Sequence, residues 1–134
     1  ASNNPDLAYI YFNGSTATNY SLRRLYGDSA AATSDALSAS PYLTTIMFSP
    51  ANSATANTFS NNEIYVPNYA GSNNKSVSID TTSENNSTTT NYSGIAIQAG
   101  LRAITDAITS VSIGCYFGSF VQYSTFTLYG IKNS

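Results

Sequence analysis

Histidine and tryptophan are absent from this chain, cysteine occurs once, and charge is scarce: five Lys and Arg together and seven Asp and Glu in 134 residues. Each absence excludes a class of function. Without imidazole the chain has neither the usual general base of triad hydrolases nor the commonest zinc ligand. The single Cys115 can form no disulfide within the chain and no thiolate metal centre, and it reads as a small buried apolar residue. A formal net charge of −2, with Arg23-Arg24 as the one basic pair, provides no field for counterion release, so nucleic acid is not an expected partner. No run of about 18 apolar residues occurs and no charged-then-apolar leader is visible, so membrane insertion is not expected. The chain opens on Ala1 without Met, which reads as a processed, partial or engineered chain.

What is present is polar but not charged: 15 Asn, 21 Ser and 16 Thr. Such a composition suggests disorder until the aromatic residues are counted. Eleven Tyr and six Phe are spread along the chain among many Ile, Val and Thr, and disordered segments lack these. The expectation is one β domain over residues 1–134, large enough to bury a core without disulfides or metals.

Short strands between turn-rich linkers make up the pattern. Residues 7–12 form a strand that is apolar on both faces, followed by Asn13-Gly14, a hairpin or tight-turn signal because both residues tolerate positive φ. Residues 20–26 form a second strand, and the Ala/Ser-rich stretch 28–41 reads as an exposed loop. Strands at 42–48 and 57–66 follow, the latter closed by Pro67. Residues 75–82 are the cleanest amphipathic strand, with Val77 and Ile79 inward and Ser76, Ser78 and Asp80 outward. After a polar tip at 84–91, residues 93–101 repeat the alternation, with Ile95, Ile97 and Leu101 expected inward. Leu101, Ile104 and Ile108 also fit helical spacing, leaving a short helix over 102–108 as an alternative. Residues 111–117 and 120–131 complete a set of about eight strands, which argues for an all-β antiparallel sandwich, jelly-roll-like. No repeat of fixed period suggests a β-helix or propeller.

Catalytic constellations are sparse. Lys75 beside Asn74 and Lys132 near the end lack the desolvated setting of a serine-activating base. Asp80 with Glu84, and Asp28 with Asp35, are the local carboxylate pairs that could cleave a glycosidic bond, but solvated acids at strand ends and in loops are much the better account of them, since surface acids are common and catalytic ones rare. Asp28 to Asp35 matches no calcium-loop spacing. No catalytic residue, metal site or cofactor is therefore assigned, and the chain is not expected to be an enzyme. Tyr42, Tyr69, Tyr92 and Tyr116, near strand ends or loops, are candidate contacts for a surface glycan, since phenol rings stack on sugars; the competing reading places them in the core or an interface. Lack of Trp weakens the glycan reading.

The C-terminal stretch is the most informative. As a strand, residues 123–131 would place Tyr123, Tyr129 and Ile131 on one face and Phe126 and Leu128 on the other. A strand apolar on both faces is covered on both, by its own core and by something else, and a neighbouring subunit is the simplest cover. Tyr9, Tyr11, Tyr123, Phe126, Tyr129 and Ile131 are thus the candidate interface residues.

Several segments also carry a resemblance. Residues 12–21 (FNGSTATNYS) and 23–28 (RRLYGD), then 56–59 (ANTF), 66–69 (VPNY) with Lys75-Ser76, 107–110 (AITS) and 120–131 (FVQYSTFTLYGI), resemble the β-rich virion structural modules of tailed bacteriophages, common among phages of marine and cyanobacterial hosts. The resemblance spans nearly the whole chain and rests on the order and spacing of the segments. It implies a place in the virion and a non-enzymatic role: a trimeric fibre or spike tip touching a host-surface glycan or protein, or alternatively a capsid decoration protein bound to the shell, with other virion proteins as partners. A polysaccharide depolymerase is a third reading. It also implies further strands ahead of Ala1, and so an edge completed by a neighbouring chain. Two features separate the first two roles: a tip should display aromatic residues in loops such as 28–41 and 84–91, whereas a decoration protein should present an apolar patch.

Overall fold

Eight strands and no helix make up the computed structural model, which describes residues 6–28, 30–50, 54–86 and 93–132. In chain order they are β1 (Asp6–Phe12), β2 (Tyr20–Gly27), β3 (Ala32–Ser40), β4 (Leu43–Ser49), β5 (Asn61–Tyr65), β6 (Lys75–Ser83), β7 (Gly94–Arg102) and β8 (Val111–Cys115). They form two antiparallel sheets, one of three strands in the order β4-β1-β8 and one of five in the order β3-β2-β7-β6-β5. The expected all-β antiparallel sandwich is therefore the fold. Pairing is nested, β1 with β8 and β2 with β7, as in a long hairpin rolled up on itself.

Between the sheets, Ala8, Ile10 and Phe12 of β1 and Leu43 of β4 face Tyr20, Leu22, Val77 and Ile79 of the larger sheet. This alternation explains β1 and β6 as read from sequence. Val77 and Ile79 are buried while Ser76, Ser78 and Asp80 are exposed.

Four expectations are corrected. Residues 32–40 form edge strand β3 rather than a loop: paired only to β2, it needs backbone partners but few apolar side chains, and its residues are largely exposed. A register shift opposite Ala39, which has positive φ, interrupts this edge, as bulges often do to prevent further pairing. In β7 the period of two is right but the face is inverted. Ile95 and Ile97 are each 55% exposed on the outer face, while Ala96, Gln98, Gly100 and Arg102 point inward. The cause lies across the sandwich: a Cβ on Gly100 would come within 3.0 Å of Leu43, so there is no room for a large side chain beneath β4. Third, residues 102–108 form no helix. Fourth, residues 119–132 join neither sheet, so the expected terminal strand is not hydrogen-bonded as one.

Asn13-Gly14 makes the tight turn its sequence signals, with φ of 56° and 65° and the Ser15 amide bonded to the Phe12 carbonyl at 3.0 Å. It does not close a hairpin, because the chain then crosses to the other sheet as β2. Asn13 instead ties this turn to the segment entering β8. Its Nδ2 donates to the Ala107 carbonyl at 2.7 Å and to Asp106 at 3.1 Å, and its Oδ1 accepts from the Thr109 amide at 2.8 Å, the Thr109 hydroxyl at 3.2 Å and the Ser110 amide at 3.2 Å.

Candidate functional site

Two cations lie side by side at one end of the sandwich. Lys75 and Arg102 are cross-strand partners on the inner face, each 1% exposed. Arg102 binds Asp106 through two hydrogen bonds, at 2.6 and 3.2 Å. The Asp106 carboxylate and then the Tyr20 hydroxyl hold the guanidinium in its charged form against the penalty of burial. Lys75 is far more buried than its sequence setting suggests, yet it is not placed as a base. Its amine donates to the carbonyls of Gly71 (2.7 Å), Asn73 and Thr105 (3.5 Å), so its donors stitch the 67–74 turn to the segment after β7. Backbone oxygens hold the ammonium and one carboxylate holds the two terminal guanidinium nitrogens, while the buried Arg102 Nε has no partner among the described residues.

The carboxylate pairs fare no better as catalysts. Asp28 Oδ1 accepts from the amides of Ala30 and Ala31 in a local turn, and Asp35 forms a two-pronged ion pair with Arg24 at 2.5 and 2.6 Å. Glu84 is turned back onto the Asn86 amide. Asp80 stands opposite Glu63 on the open outer face of the five-stranded sheet, not in a cleft. Among the described residues no group of three potential metal ligands occurs, and no helix is long and apolar enough to cross a membrane.

Aromatic side chains build the more distinctive surfaces. On the outer face of the three-stranded sheet, Tyr9, Tyr11, Tyr42 and Tyr116 gather into one patch, extended by Phe117. Tyr9 lies 5.4 Å from Tyr42 and 6.1 Å from Tyr11 between ring centroids, and Tyr116 lies 6.2 Å from Tyr42 and 4.8 Å from Phe117. Gly114 is what lets Tyr9 lie down across β8: a Cβ there would come within 2.3 Å of the Tyr9 ring. The hydrogen bond between the Tyr42 hydroxyl and Tyr116, which favours the protonated Tyr42 phenol, and then burial raise Tyr42 above its ordinary range. So the structure unites two residues expected at an interface, Tyr9 and Tyr11, with two expected at a glycan contact, Tyr42 and Tyr116. The second apolar face of β1 is covered in large part by this chain's own rings. Tyr69 stands apart in the 67–70 turn, its carbonyl accepting from the Ile108 amide, and Tyr92 lies outside the described residues.

The C-terminal segment is a second surface. Val121, Tyr123, Phe126, Leu128, Tyr129 and Ile131 are 54–84% exposed. Between this segment and the body runs a groove of about 990 Å³, floored by Phe12, Ile64, Val66, Val111 and Ile113. Phe120 and Phe126 meet edge to face at 4.8 Å across the segment's own fold. A third surface is the outer face of the five-stranded sheet, where Leu25 opposite Ile97, with Ile95 and Leu101 beside them, forms an aliphatic strip unforeseen from sequence. Only the facing of β7 could have revealed it.

Compared with family models, curated proteins and solved structures, the chain matches none.

Proposed function

We propose that this chain is a non-enzymatic structural module of a tailed-bacteriophage particle that works as a homo-oligomer, its apolar surfaces covered by copies of itself and by other virion proteins. One observation carries the reading: six large apolar side chains, each more than half exposed, are gathered in one terminal segment. Exposed apolar area of this kind marks an assembly surface. The resemblance of residues 12–28 and 120–131 to virion modules supports the particle, and the nested strand pairing agrees with a jelly-roll-like build. A trimer suits the fibre or spike reading.

Two positions in the particle compete. The tyrosine patch supports a tip that touches host-surface glycan, because phenol rings and hydroxyls together suit sugar faces and hydroxyls. The shell-decoration reading is favoured by a different observation. Residues 32–40 form strand β3, without aromatic side chains, while residues 87–91 of the second expected tip loop lie outside the described residues; the aliphatic strip of Leu25, Ile95, Ile97 and Leu101 is an apolar patch of the kind a shell contact needs. By that criterion the shell is the better supported of the two. The depolymerase reading gains nothing from Asp80 and Glu84, which line no common cleft.

Immunogold electron microscopy of particles from the source, with an antibody against this chain, tests the proposal. Label over the head supports decoration, and label at a fibre or tail tip supports host contact. Particles that carry the gene product nowhere would overturn the virion reading altogether.

A further inference from the structure

The three-stranded sheet ends at β8, and the segment that follows it in sequence carries the side-chain pattern of a strand without pairing as one. Beside the edge of β8 that faces away from β1 lies the groove, its wall formed by Val111 and Ile113. None of the residues lining the groove is charged, and none of residues 116–131 is charged either. The groove therefore suits an uncharged, apolar strand, and the chain carries one.

Resting on the self-association in the proposed function, we propose that residues 124–131 of one copy add as a strand along Val111–Gly114 of β8 in a second copy. The alternation of both partners fits. Val111 and Ile113 point to the inner face of their sheet with Phe12 and Ile10, while Ser112 and Gly114 point to the tyrosine face with Tyr11 and Tyr9. An added strand with Phe126 and Leu128 inward fills the groove, and its other face then lays Tyr129 and Ile131 beside the tyrosine patch. Within its own chain Phe126 meets only Phe120 and, with Leu128, lines the far wall of the groove; in the added position both faces of the segment gain an apolar surface. Phe126, Leu128, Tyr129 and Ile131, at about 200 Å² for a large apolar side chain, present on the order of 600 Å², most of the roughly 800 Å² one partner contributes to a standard interface.

A hinge is already in place. Tyr123 has a φ of 73° in a turn closed by the Ser124 amide on the Val121 carbonyl at 3.1 Å. A bulky residue in the left-handed region is strained, and straightening the segment into a strand relieves that strain. Edge addition of this kind draws its affinity from backbone hydrogen bonds and its specificity from alternate side chains.

Two singly reactive species test the register. Both carry Cys115→Ala; one adds Ser112→Cys on β8, and the other, with a longer tag, adds Thr125→Cys or Thr127→Cys on the segment. Mixed under mild oxidation, they should yield a disulfide-linked heterodimer of intermediate size, since Ser112 and the two threonines share the outer face of the proposed sheet. Leu128→Asp, at a side chain 84% exposed and so harmless to folding, should turn the oligomer into monomer by light scattering with an unchanged circular dichroism spectrum. An oligomer that survives Leu128→Asp, with no cross-link from either threonine position, overturns the strand addition and leaves self-association standing. A wild-type chain that is monomeric at micromolar concentration overturns both.

Discussion

Replacing Asn13 by Ala removes one side chain that joins three parts of the chain, and its cost can be worked from the structure. The amide makes five hydrogen bonds, two donated to Asp106 and Ala107 and three accepted from Thr109 and Ser110. At about 1 kcal/mol each, halved because Thr109 and Ser110 are exposed to competing water, they contribute about 2–3 kcal/mol. Asn13 also sits at a φ of 56°, where Ala costs about 1 kcal/mol more. The expected total is about 3–4 kcal/mol, a large part of the roughly 5–15 kcal/mol typical of a domain, and a fall in melting temperature on the order of 10–15 °C. Urea unfolding followed by tyrosine fluorescence and circular dichroism measures it. Asn13→Gly separates the two causes, because Gly adopts positive φ freely and should lose only the hydrogen-bond share. An Ala variant within about 0.5 kcal/mol of wild type, or a Gly variant less stable than the Ala one, would refute the reasoning.

Lys75→Met keeps the bulk of the side chain but leaves the carbonyls of Gly71, Asn73 and Thr105 without their shared donor; a loss of about 2–4 kcal/mol is expected, softened by the relief of its repulsion with Arg102, and an equally stable variant would show that the ammonium is dispensable. Asp106, hydrogen-bonded by Arg102 and Asn13, is held below the ordinary carboxylate value of 3.8. Its pairing therefore stabilises the fold at pH above that value and is lost as the pH falls through the lower folded-state value. The urea midpoints of wild type and Asp106→Asn should differ at neutral pH and converge in strong acid, and a constant gap would remove the ion pair as cause. Tyr116→Phe should bring the raised Tyr42 phenol back toward 10 in an ultraviolet alkaline titration, with no late-titrating tyrosine left from this pair.

How far the fold could be read in advance depended on whether a strand's chemistry is local. In β6 it is: Val77 and Ile79 against Ser76, Ser78 and Asp80 state both the period and the face, because the outward residues are strongly polar. In β7 the outward positions are Ile95, Ile97 and Leu101 and the inward ones include Gln98 and Arg102, so local hydrophobicity points the wrong way. Leu43 above Gly100 sets that face, and a single strand holds no record of what packs across from it. Strand β3 was missed for the opposite reason. An edge strand is held by its ladder to β2 and by Arg24–Asp35, and Ala and Ser suffice for that. The tyrosines show the same limit at the site. Tyr9 and Tyr116 lie far apart in sequence and were assigned different roles, yet the register of β1 with β8 puts Gly114 under the Tyr9 ring and brings Tyr42 and Tyr116 to its side.

The unpaired terminal segment has a physical meaning that the aliphatic outer strip does not share. A chain with five basic and seven acidic residues in 134 relies mainly on amide and hydroxyl hydration to keep apart from its neighbours, a weaker deterrent to association than a large net charge. Natural β proteins that must stay monomeric guard such surfaces with Lys, Pro or inward charge. Here β8 and residues 116–131 contain no charged residue and no Pro, whereas the strip on β7 has Asp80 opposite Ile97 and Arg23 opposite Ala99 at its sides. The bulge in β3 shows that the chain carries such a guard on one edge. No such guard stands among the described residues beside the groove, and that difference between the two edges is what the proposed strand addition at β8 uses.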